Sequence, residues 1–278
     1  MRPPDLVKHR GMVLGTGLVG VFVVASLLAP WLSPFDPQAV PSELATASLN
    51  PPGTPNTFGT DVLGRDIFSR VLHGGRVSLS VGVGVELVVV LIGTAIGLLA
   101  GYYGRWLDGC LMRVTDVVMA FPSLILAIGL IAVFERPGLD KVFLVLMLLG
   151  WTTIARVVRG QVLSIREREY VQAARALGVR DGVIVLRHLL PNCAGPILVA
   201  ATIGVGGNMV AEAGLSYLGL GAQAPTISWG AMLAEGQTFL ASAPWVAVFP
   251  GLALMLAVLG INLLGDGLRD ILDPRFRD

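Results

Sequence analysis

Residues 166–192 have the sequence REREYVQAARALGVRDGVIVLRHLLPN, a polar and arginine-rich segment that lies between two apolar stretches. Good helix-forming residues continue as far as Leu177, and Gly178 is well placed to end this helix. Asp181 can cap a second helix, which Pro191 cannot continue. The segment therefore predicts a compact helix–turn–helix outside the membrane, in a chain that is otherwise built for lipid.

The overall composition is that of a membrane protein. Of 278 residues, 54% are hydrophobic and 14% are charged, and the mean hydropathy is +0.74. Soluble domains carry about 25% charged residues. The formal net charge of +1 argues against nucleic-acid binding. These values place the chain in the membrane class before any motif is considered.

Six stretches are apolar enough to cross a membrane, because about 20 residues at ~1.5 Å each cross ~30 Å of hydrocarbon. They comprise residues 11–32, 77–100, 114–134, 142–158, 196–213 and 245–264. With the N-terminus inside, 15 of the 20 Lys and Arg residues fall on the inner side, as the positive-inside rule requires. The chain is therefore predicted to be all-α, with six transmembrane helices and both termini in the cytoplasm.

Two long segments are predicted outside the membrane. Residues 33–76 begin with prolines and become helical in pattern after Asp61, a plausible N-cap, until Gly74 and Gly75 stop the helix. This pattern predicts an interfacial helix. Residues 214–244 could be a re-entrant or gating segment, or an ordered loop. The predicted organisation is a cytoplasmic N-terminus (1–10), a first transmembrane helix (11–32), an external segment (33–76) and a membrane core (77–278) containing the cytoplasmic loop 160–192.

Motifs for nucleotide or metal chemistry are missing from the sequence. Lys8 and Lys141 are the only lysines, and neither belongs to a G-x-x-x-x-G-K-[ST] phosphate-binding loop. The sequence has no H-E-x-x-H motif and no Cys/His cluster that suits zinc. The chain is therefore predicted not to be an enzyme and to bind no cofactor or metal. If ATP drives its activity, another polypeptide binds the ATP.

The cytoplasmic segment has the composition of a docking surface. Ala173 and Ala174 leave part of the first helix nearly flat, and arginines and glutamates flank them. A flat patch of small residues suits docking into a groove. The alternative is a solvated linker that merely joins two spans, but such a linker would not need Val171 or Leu177. Docking to a soluble partner is therefore the favoured interpretation.

This segment resembles the coupling loop, or EAA loop, of ABC-importer permeases. That loop has Glu-Ala-Ala, three residues, Gly, nine residues, Ile, one residue and Leu-Pro, and the chain has Gln172-Ala173-Ala174, Gly178, His188 and Leu190-Pro191 at this spacing. Gln172 replaces Glu and His188 replaces Ile, so Glu167 or Glu169 would have to supply any charge at the contact. The resemblance implies that the residues coupling the chain to an ATPase are Glu169, Tyr170, Gln172, Ala173, Ala174, Leu177, Gly178 and Asp181.

Further motifs resemble the C-type permease subunits of dipeptide, oligopeptide and nickel importers. They are residues 58–66, 101–104, 212–221, 228–230 and 262–270. The resemblance implies a type I ABC-importer permease in the bacterial cytoplasmic (inner) membrane, with a di- or oligopeptide as substrate, or nickel or another small solute. It also implies a related B-type permease, two ABC ATPase subunits that bind ATP and Mg²⁺, and an extracytoplasmic substrate-binding protein. A stand-alone secondary transporter and a membrane scaffold are the alternatives from other classes.

Three polar residues within the predicted spans are candidates for a pathway or gate. A carboxylate at a helix centre costs about 2.5–3.5 kcal/mol on insertion scales, and Glu86 lies near the middle of the second span. It could line the pathway, pair across a permease interface or remain protonated. Asn208 and Glu212 lie one turn apart on one face of the fifth span, where they could form a gate or join helices.

Overall fold

The computed structural model describes residues 10–272, and these are helical apart from their loops and turns. A π-helical segment, Ile184–Leu189, joins α9 to α10, and a 3-10 turn follows α11. The helices are α1 (Arg10–Leu27), α2 (Ala29–Leu32), α3 (Leu44–Ala47), α4 (Ile67–Tyr103), α5 (Arg105–Met119), α6 (Ser123–Ile131), α7 (Leu139–Ile165), α8 (Glu169–Ala176), α9 (Asp181–Val183), α10 (Leu190–Tyr217), α11 (Trp229–Gly236) and α12 (Trp245–Leu272). The all-α prediction is confirmed, while most of the predicted cytoplasmic N-terminus, residues 1–10, lies outside the described residues.

Among the described helices, five are long and apolar enough to cross a membrane, or six if α5 and α6 together form one span. The third span was predicted as one stretch, residues 114–134, but α5 and α6 meet at an angle of 85°. Pro122 explains the bend, because proline disfavours the helical conformation of the residue before it. Its own backbone is extended at the start of α6, with ψ of 121°.

The second span differs most from its predicted boundaries. Helix α4 runs without interruption for 37 residues, which corresponds to roughly 55 Å at 1.5 Å per residue. The predicted stop at Gly74 and Gly75 is therefore wrong, and the interfacial helix expected within residues 33–76 is the outer end of α4. Both glycines face Trp229, and a Cβ on Gly75 would lie 2.9 Å from its ring. The glycines serve close packing here, which outweighs their low helix propensity.

The predicted cap of this helix is also corrected. Asp66, and not Asp61, is the N-cap of α4, and its carboxylate accepts a hydrogen bond from the Ser69 N–H at 2.8 Å. The Asp61 carboxylate instead accepts hydrogen bonds within the preceding loop and lies 2.7 Å from Arg65 Nε. Arg65 also bonds to Glu235 of α11 at 2.9 Å. This ion network ties the outer end of α4 to the segment before α12.

The most extensive contact between membrane helices is that of α4 with α7. Gly93, Gly97 and Gly101 repeat every fourth residue along one face of α4. A Cβ on Gly97 would lie 2.6 Å from the Ala155 carbonyl oxygen, and a Cβ on Gly93 would lie 2.6 Å from the Cβ of Ile154. Small residues at this spacing let two helix backbones approach within a membrane. Helices α4 and α7 are therefore closely packed along this face.

The cytoplasmic segment continues into the fifth span without the predicted break at Pro191. The π-helical segment precedes this proline, and the Leu190 N–H donates to the Val185 carbonyl, five residues back. Pro191 is the second residue of α10 and lies where the hydrogen bonding changes from π-helical to α-helical. The predicted second cytoplasmic helix and the predicted span 196–213 therefore form one helical run, Asp181–Tyr217.

Candidate functional site

A cavity of 790 Å³ opens among α4, α7, α10 and the bent pair α5–α6. Its lining is mainly apolar, with Val89 of α4, Met119 and Phe121 at the bend, and Ile203 of α10 among the contributors. Glu86 of α4 is the one charged side chain among the described lining residues. A concave, mostly apolar site with a few polar groups is typical of small-molecule binding.

Glu86 and Asn208, two of the predicted pathway residues, meet in this cavity. The Asn208 side-chain amide donates a hydrogen bond from Nδ2 to Glu86 Oε2 at 2.9 Å, and this bond joins α10 to α4. Gly204 lies one turn before Asn208, and a Cβ there would collide with the Glu86 carboxylate. The fifth span thus provides both a hydrogen-bond donor and the space that the carboxylate occupies.

The third predicted residue, Glu212, lies at a different place. Its side chain is fully buried and is not part of the cavity lining. Ser216 donates to Glu212 Oε1 at 2.7 Å, and Ser78 of α4 donates to Oε2 at 3.3 Å. Each serine oxygen also accepts a backbone N–H from the outer segment, from Ala222 at 3.0 Å and from Trp229 at 3.2 Å. Glu212 is therefore the centre of a closed hydrogen-bonded cluster that joins α4, α10 and the start of α11.

In the loop predicted to be cytoplasmic, α8 has one face on the core and one face free. Val171 is 1% exposed and packs into the core, whereas Leu177, just after the helix, is 84% exposed. Ala173 is exposed, but Ala174 is half-buried and packs against the core. The predicted flat surface of Ala173 and Ala174 is corrected on this point, because only Ala173 points outward. Consecutive residues of a helix are about 100° apart, and here that rotation turns Ala174 toward the core while Ala173 stays exposed.

The turn after α8 has the predicted geometry. Gly178 has a φ of +75°, the left-handed conformation in which a helix commonly ends at glycine. The Val179 N–H donates to the Ala174 carbonyl at 3.1 Å, and the Gly178 N–H donates to the Arg175 carbonyl at 3.0 Å. These bonds satisfy carbonyls at the helix end. The turn therefore fixes the direction in which the chain leaves α8.

Contacts that the sequence did not reveal join this segment to the inner end of α4. The Tyr102 hydroxyl donates to Asp181 Oδ1 at 2.6 Å, so Asp181 bonds to another helix and does not cap its own. Arg166 Nη1 donates to the Gly101 carbonyl at 2.7 Å. The Arg175 guanidinium lies 5.0 Å from the centre of the Tyr102 ring, within the range of a cation–π contact. The segment that contains α8 is thus bonded to the helix that carries Glu86.

Two further exposed apolar residues follow on the same cytoplasmic segment. Leu186 is 64% exposed and Val183 is 39% exposed, and they lie three residues apart on one helical face. Tyr170, on α8, is 42% exposed. Exposed apolar residues beside charged ones are typical of a protein-docking surface. The predicted coupling set included Tyr170 and omitted the other two.

Comparison with known proteins identifies the family. Residues 93–278 match the family described as "Binding-protein-dependent transport system inner membrane component". The chain belongs to this family. Residues 5–52 match a second family, the N-terminal transmembrane domain of oligopeptide transport permease C. The chain is therefore a multi-pass inner-membrane permease subunit of an ABC importer, and the resemblance drawn from its motifs is confirmed.

Several curated relatives are similar over nearly the whole chain. The dipeptide transport system permease protein DppC of Alkalihalophilus pseudofirmus is 41% identical, over 98% of this chain and 88% of the relative. A putative peptide transport system permease protein of Brucella abortus is 43% identical, over 98% and 90%. The glutathione transport system permease protein GsiD of Escherichia coli is 43% identical, over 97% and 88%.

A solved structure supports the fold. The inward-facing MetNI methionine ABC transporter contains a chain that superposes with a TM-score of 0.60, at 20% identity. The match covers 74% of this chain and 98% of the other. The architecture is thus the type I ABC-importer permease fold. Within residues 10–272, no group of three or more His, Cys, Asp and Glu side chains is arranged to hold a metal ion.

Proposed function

We propose that this chain is the C-type permease subunit of an ATP-driven, binding-protein-dependent importer of di- or oligopeptides. The names of its relatives support this substrate class, since they are permease proteins for dipeptide, peptide and glutathione transport. The single observation that carries the proposal is that one set of helices, α4, α7 and α10, lines a cavity and also holds an exposed cytoplasmic helix. This is the arrangement that a permease needs to couple an external ATPase to a pathway.

The chain forms one half of the pathway and works with several partners. A related B-type permease completes the pathway, two ABC ATPase subunits bind ATP and Mg²⁺, and an extracytoplasmic protein delivers the substrate. The absence of a phosphate-binding loop from the sequence supports a separate ATPase and a subunit with no enzymatic activity or cofactor of its own. Both termini lie in the cytoplasm, in keeping with the Lys and Arg distribution. The permease core is residues 77–278, and its coupling loop is residues 160–192.

Docking on the ATPase uses the free face of α8 and the turn after it. Tyr170, Ala173 and Leu177 supply exposed apolar surface, and Glu169 and Gln172 supply polar groups at its edge. Gly178 sets the direction of the turn. The other two predicted coupling residues, Ala174 and Asp181, act from the permease side, because Ala174 packs on the core and Asp181 bonds to Tyr102.

Movement of the docking segment is transmitted to the cavity through the helices that are connected to this segment. Helix α8 follows α7 after three residues and leads through α9 into α10. The bonds of Arg166 to Gly101 and of Asp181 to Tyr102 attach the same segment to α4. When the ATPases close on ATP, displacement of α8 would move all three helices and change the shape of the cavity that they line.

Uptake in cells that lack this chain tests the proposal. Cells with the chain restored should accumulate a labelled dipeptide, and Leu177→Asp should abolish uptake while the permease pair still assembles in the membrane. Ser242→Asp, at an exposed position of the outer segment, is the matched control and should leave uptake unchanged. Restored accumulation of nickel without dipeptide would reject the peptide substrate. Uptake that persists without the ATPases would indicate a secondary transporter.

A further inference from the structure

Glu86 is the one charged side chain among the described residues that line the cavity. Resting on the function proposed above, we infer that Glu86 is a specificity-determining residue that binds the terminal ammonium group of the transported peptide, with Asn208 as its positioning residue. The ligand class is a primary ammonium attached to an amide-linked chain.

The carboxylate is held in place but is incompletely satisfied. Oε2 accepts the Asn208 amide at 2.9 Å, and the described residues donate no hydrogen bond to Oε1. An ionised carboxylate can accept about four hydrogen bonds. Oε1 is also absent from the buried polar atoms that lack a partner, which is consistent with access from the cavity. The free acceptor therefore faces a space that a ligand can enter.

Asn208 adds a second acceptor at the same place. Its Nδ2 is used in the bond to Glu86, which leaves the side-chain oxygen Oδ1 free, because an amide both donates and accepts. A primary ammonium carries three N–H donors and no acceptor. Glu86 Oε1 offers such a group an acceptor of opposite charge, and Asn208 Oδ1 offers a neutral one. Bonds of an ammonium to a carboxylate are charge-assisted and about twice as strong as neutral ones.

A metal ion fits this place poorly. Calcium takes six to eight oxygen ligands, and magnesium requires about six in octahedral geometry. The described residues provide one carboxylate and one amide here, and no metal-ligating group of three or more is found within residues 10–272. An ammonium needs fewer partners, and its remaining N–H can bond to water or to the substrate itself. The donor set therefore favours an organic cation.

Helix cohesion alone does not explain the charge. An uncharged amide at position 86 could bond to Asn208 equally well and would avoid the insertion cost of a carboxylate. Gly204 instead leaves room for the carboxylate beside the cavity. The rest of the lining, such as Val89, Ile203 and Ala211, is small or apolar. A site of this kind recognises the end of a peptide while tolerating many side chains, and its 790 Å³ volume lies within the ~300–1,000 Å³ of ligand pockets.

Equilibrium binding to the purified complex tests this inference. The complex should contain the chain, its permease partner and the ATPases, without the binding protein, so that the selectivity of that protein does not interfere. The probes are labelled alanyl-alanine and Nα-acetyl-alanyl-alanine, which differ in the terminal ammonium. The wild-type complex should bind the free amine at least tenfold more tightly. Glu86→Gln, which keeps the bond to Asn208, should bring the affinity for the free amine down to that for the acetylated peptide.

The outcomes separate the inference from the function on which it rests. Equal binding of the two peptides by the wild-type complex would overturn the ammonium site while leaving peptide transport intact. Discrimination that survives in Glu86→Gln would also overturn it. If neither peptide binds and neither is taken up by cells, the peptide function itself is wrong. A matched control, Thr153→Val, changes another polar residue of the lining and should preserve the tenfold discrimination.

Discussion

Glu86 and Glu212 are both carboxylates well inside membrane helices, and their surroundings differ. Glu212 is fully buried, with a serine hydroxyl on each oxygen. Glu86 is 5% exposed, accepts one hydrogen bond and faces a large cavity. Each carries an insertion penalty that its surroundings must offset. The two carboxylates are therefore distinguished by the number of hydrogen bonds that the protein donates to them, and not by burial alone.

The largest loss of stability is expected when the hydrogen-bonded cluster around Glu212 is broken. Glu212→Ala would leave the hydroxyls of Ser78 and Ser216 without their acceptor and would create a cavity, so we expect a loss of about 2–5 kcal/mol of stability. Thermal unfolding of the detergent-solubilised complex measures this loss. Glu212→Gln keeps the shape of the side chain and should therefore lose less stability. If Glu212→Ala unfolds at the wild-type temperature, the carboxylate is not the centre of a structural cluster.

An intermediate loss of stability is expected for a substitution that displaces the Glu86 carboxylate without removing it. Gly204→Ala places a Cβ against the Glu86 carboxylate, and overpacking of this kind costs ~1–3 kcal/mol. The complex should be destabilised and transport should slow. Gly207→Ala is the matched control, because a Cβ at Gly207, on the same helix, meets no atom within 4 Å. Equal behaviour of the two variants would show that Glu86 can move freely, contrary to the geometry described here.

The smallest effect on stability is expected at Glu86 itself. Glu86→Gln keeps the shape and the bond to Asn208 and removes the charge, so unfolding stability should change by less than ~1 kcal/mol. The unfolding temperatures of wild type and variant, measured side by side, check this. Strong destabilisation, comparable to that of Glu212→Ala, would place both carboxylates in the same structural class and remove the contrast between them.

Much of the fold could be predicted because its signals are local. Apolar stretches of span length identified the membrane helices, and Gly178 ended α8 with the expected left-handed backbone. Gly74 and Gly75 misled the prediction, because their role depends on Trp229, which is more than 150 residues away in the sequence. Pro122 could have predicted the bend, but it lies within a long apolar stretch that was interpreted as one span. The repeat of Gly93, Gly97 and Gly101 could likewise have predicted a close helix contact.

The sequence could predict which polar residues to consider for the candidate site, but not which of them contact each other. The cost of polar residues in a membrane singled out Glu86, Asn208 and Glu212. Helical spacing then favoured Asn208 with Glu212, because one turn separates them. The structure instead brings Asn208 to Glu86 and gives Glu212 to the serine cluster. Such pairings depend on how α4 packs on α10, which no single helix encodes. The same limit concealed the bond between Tyr102 and Asp181.

The central claim is that α8 couples this permease to a separate ATPase, and site-specific photo-crosslinking tests it most directly. A photoreactive amino acid at position 177, where the side chain is 84% exposed, should crosslink to the ATPase in the assembled complex. The same probe at position 218, which is also exposed but lies at the opposite end of α10, should not. Crosslinking to the ATPase from 218, or its absence from 177 in an active complex, would contradict the account.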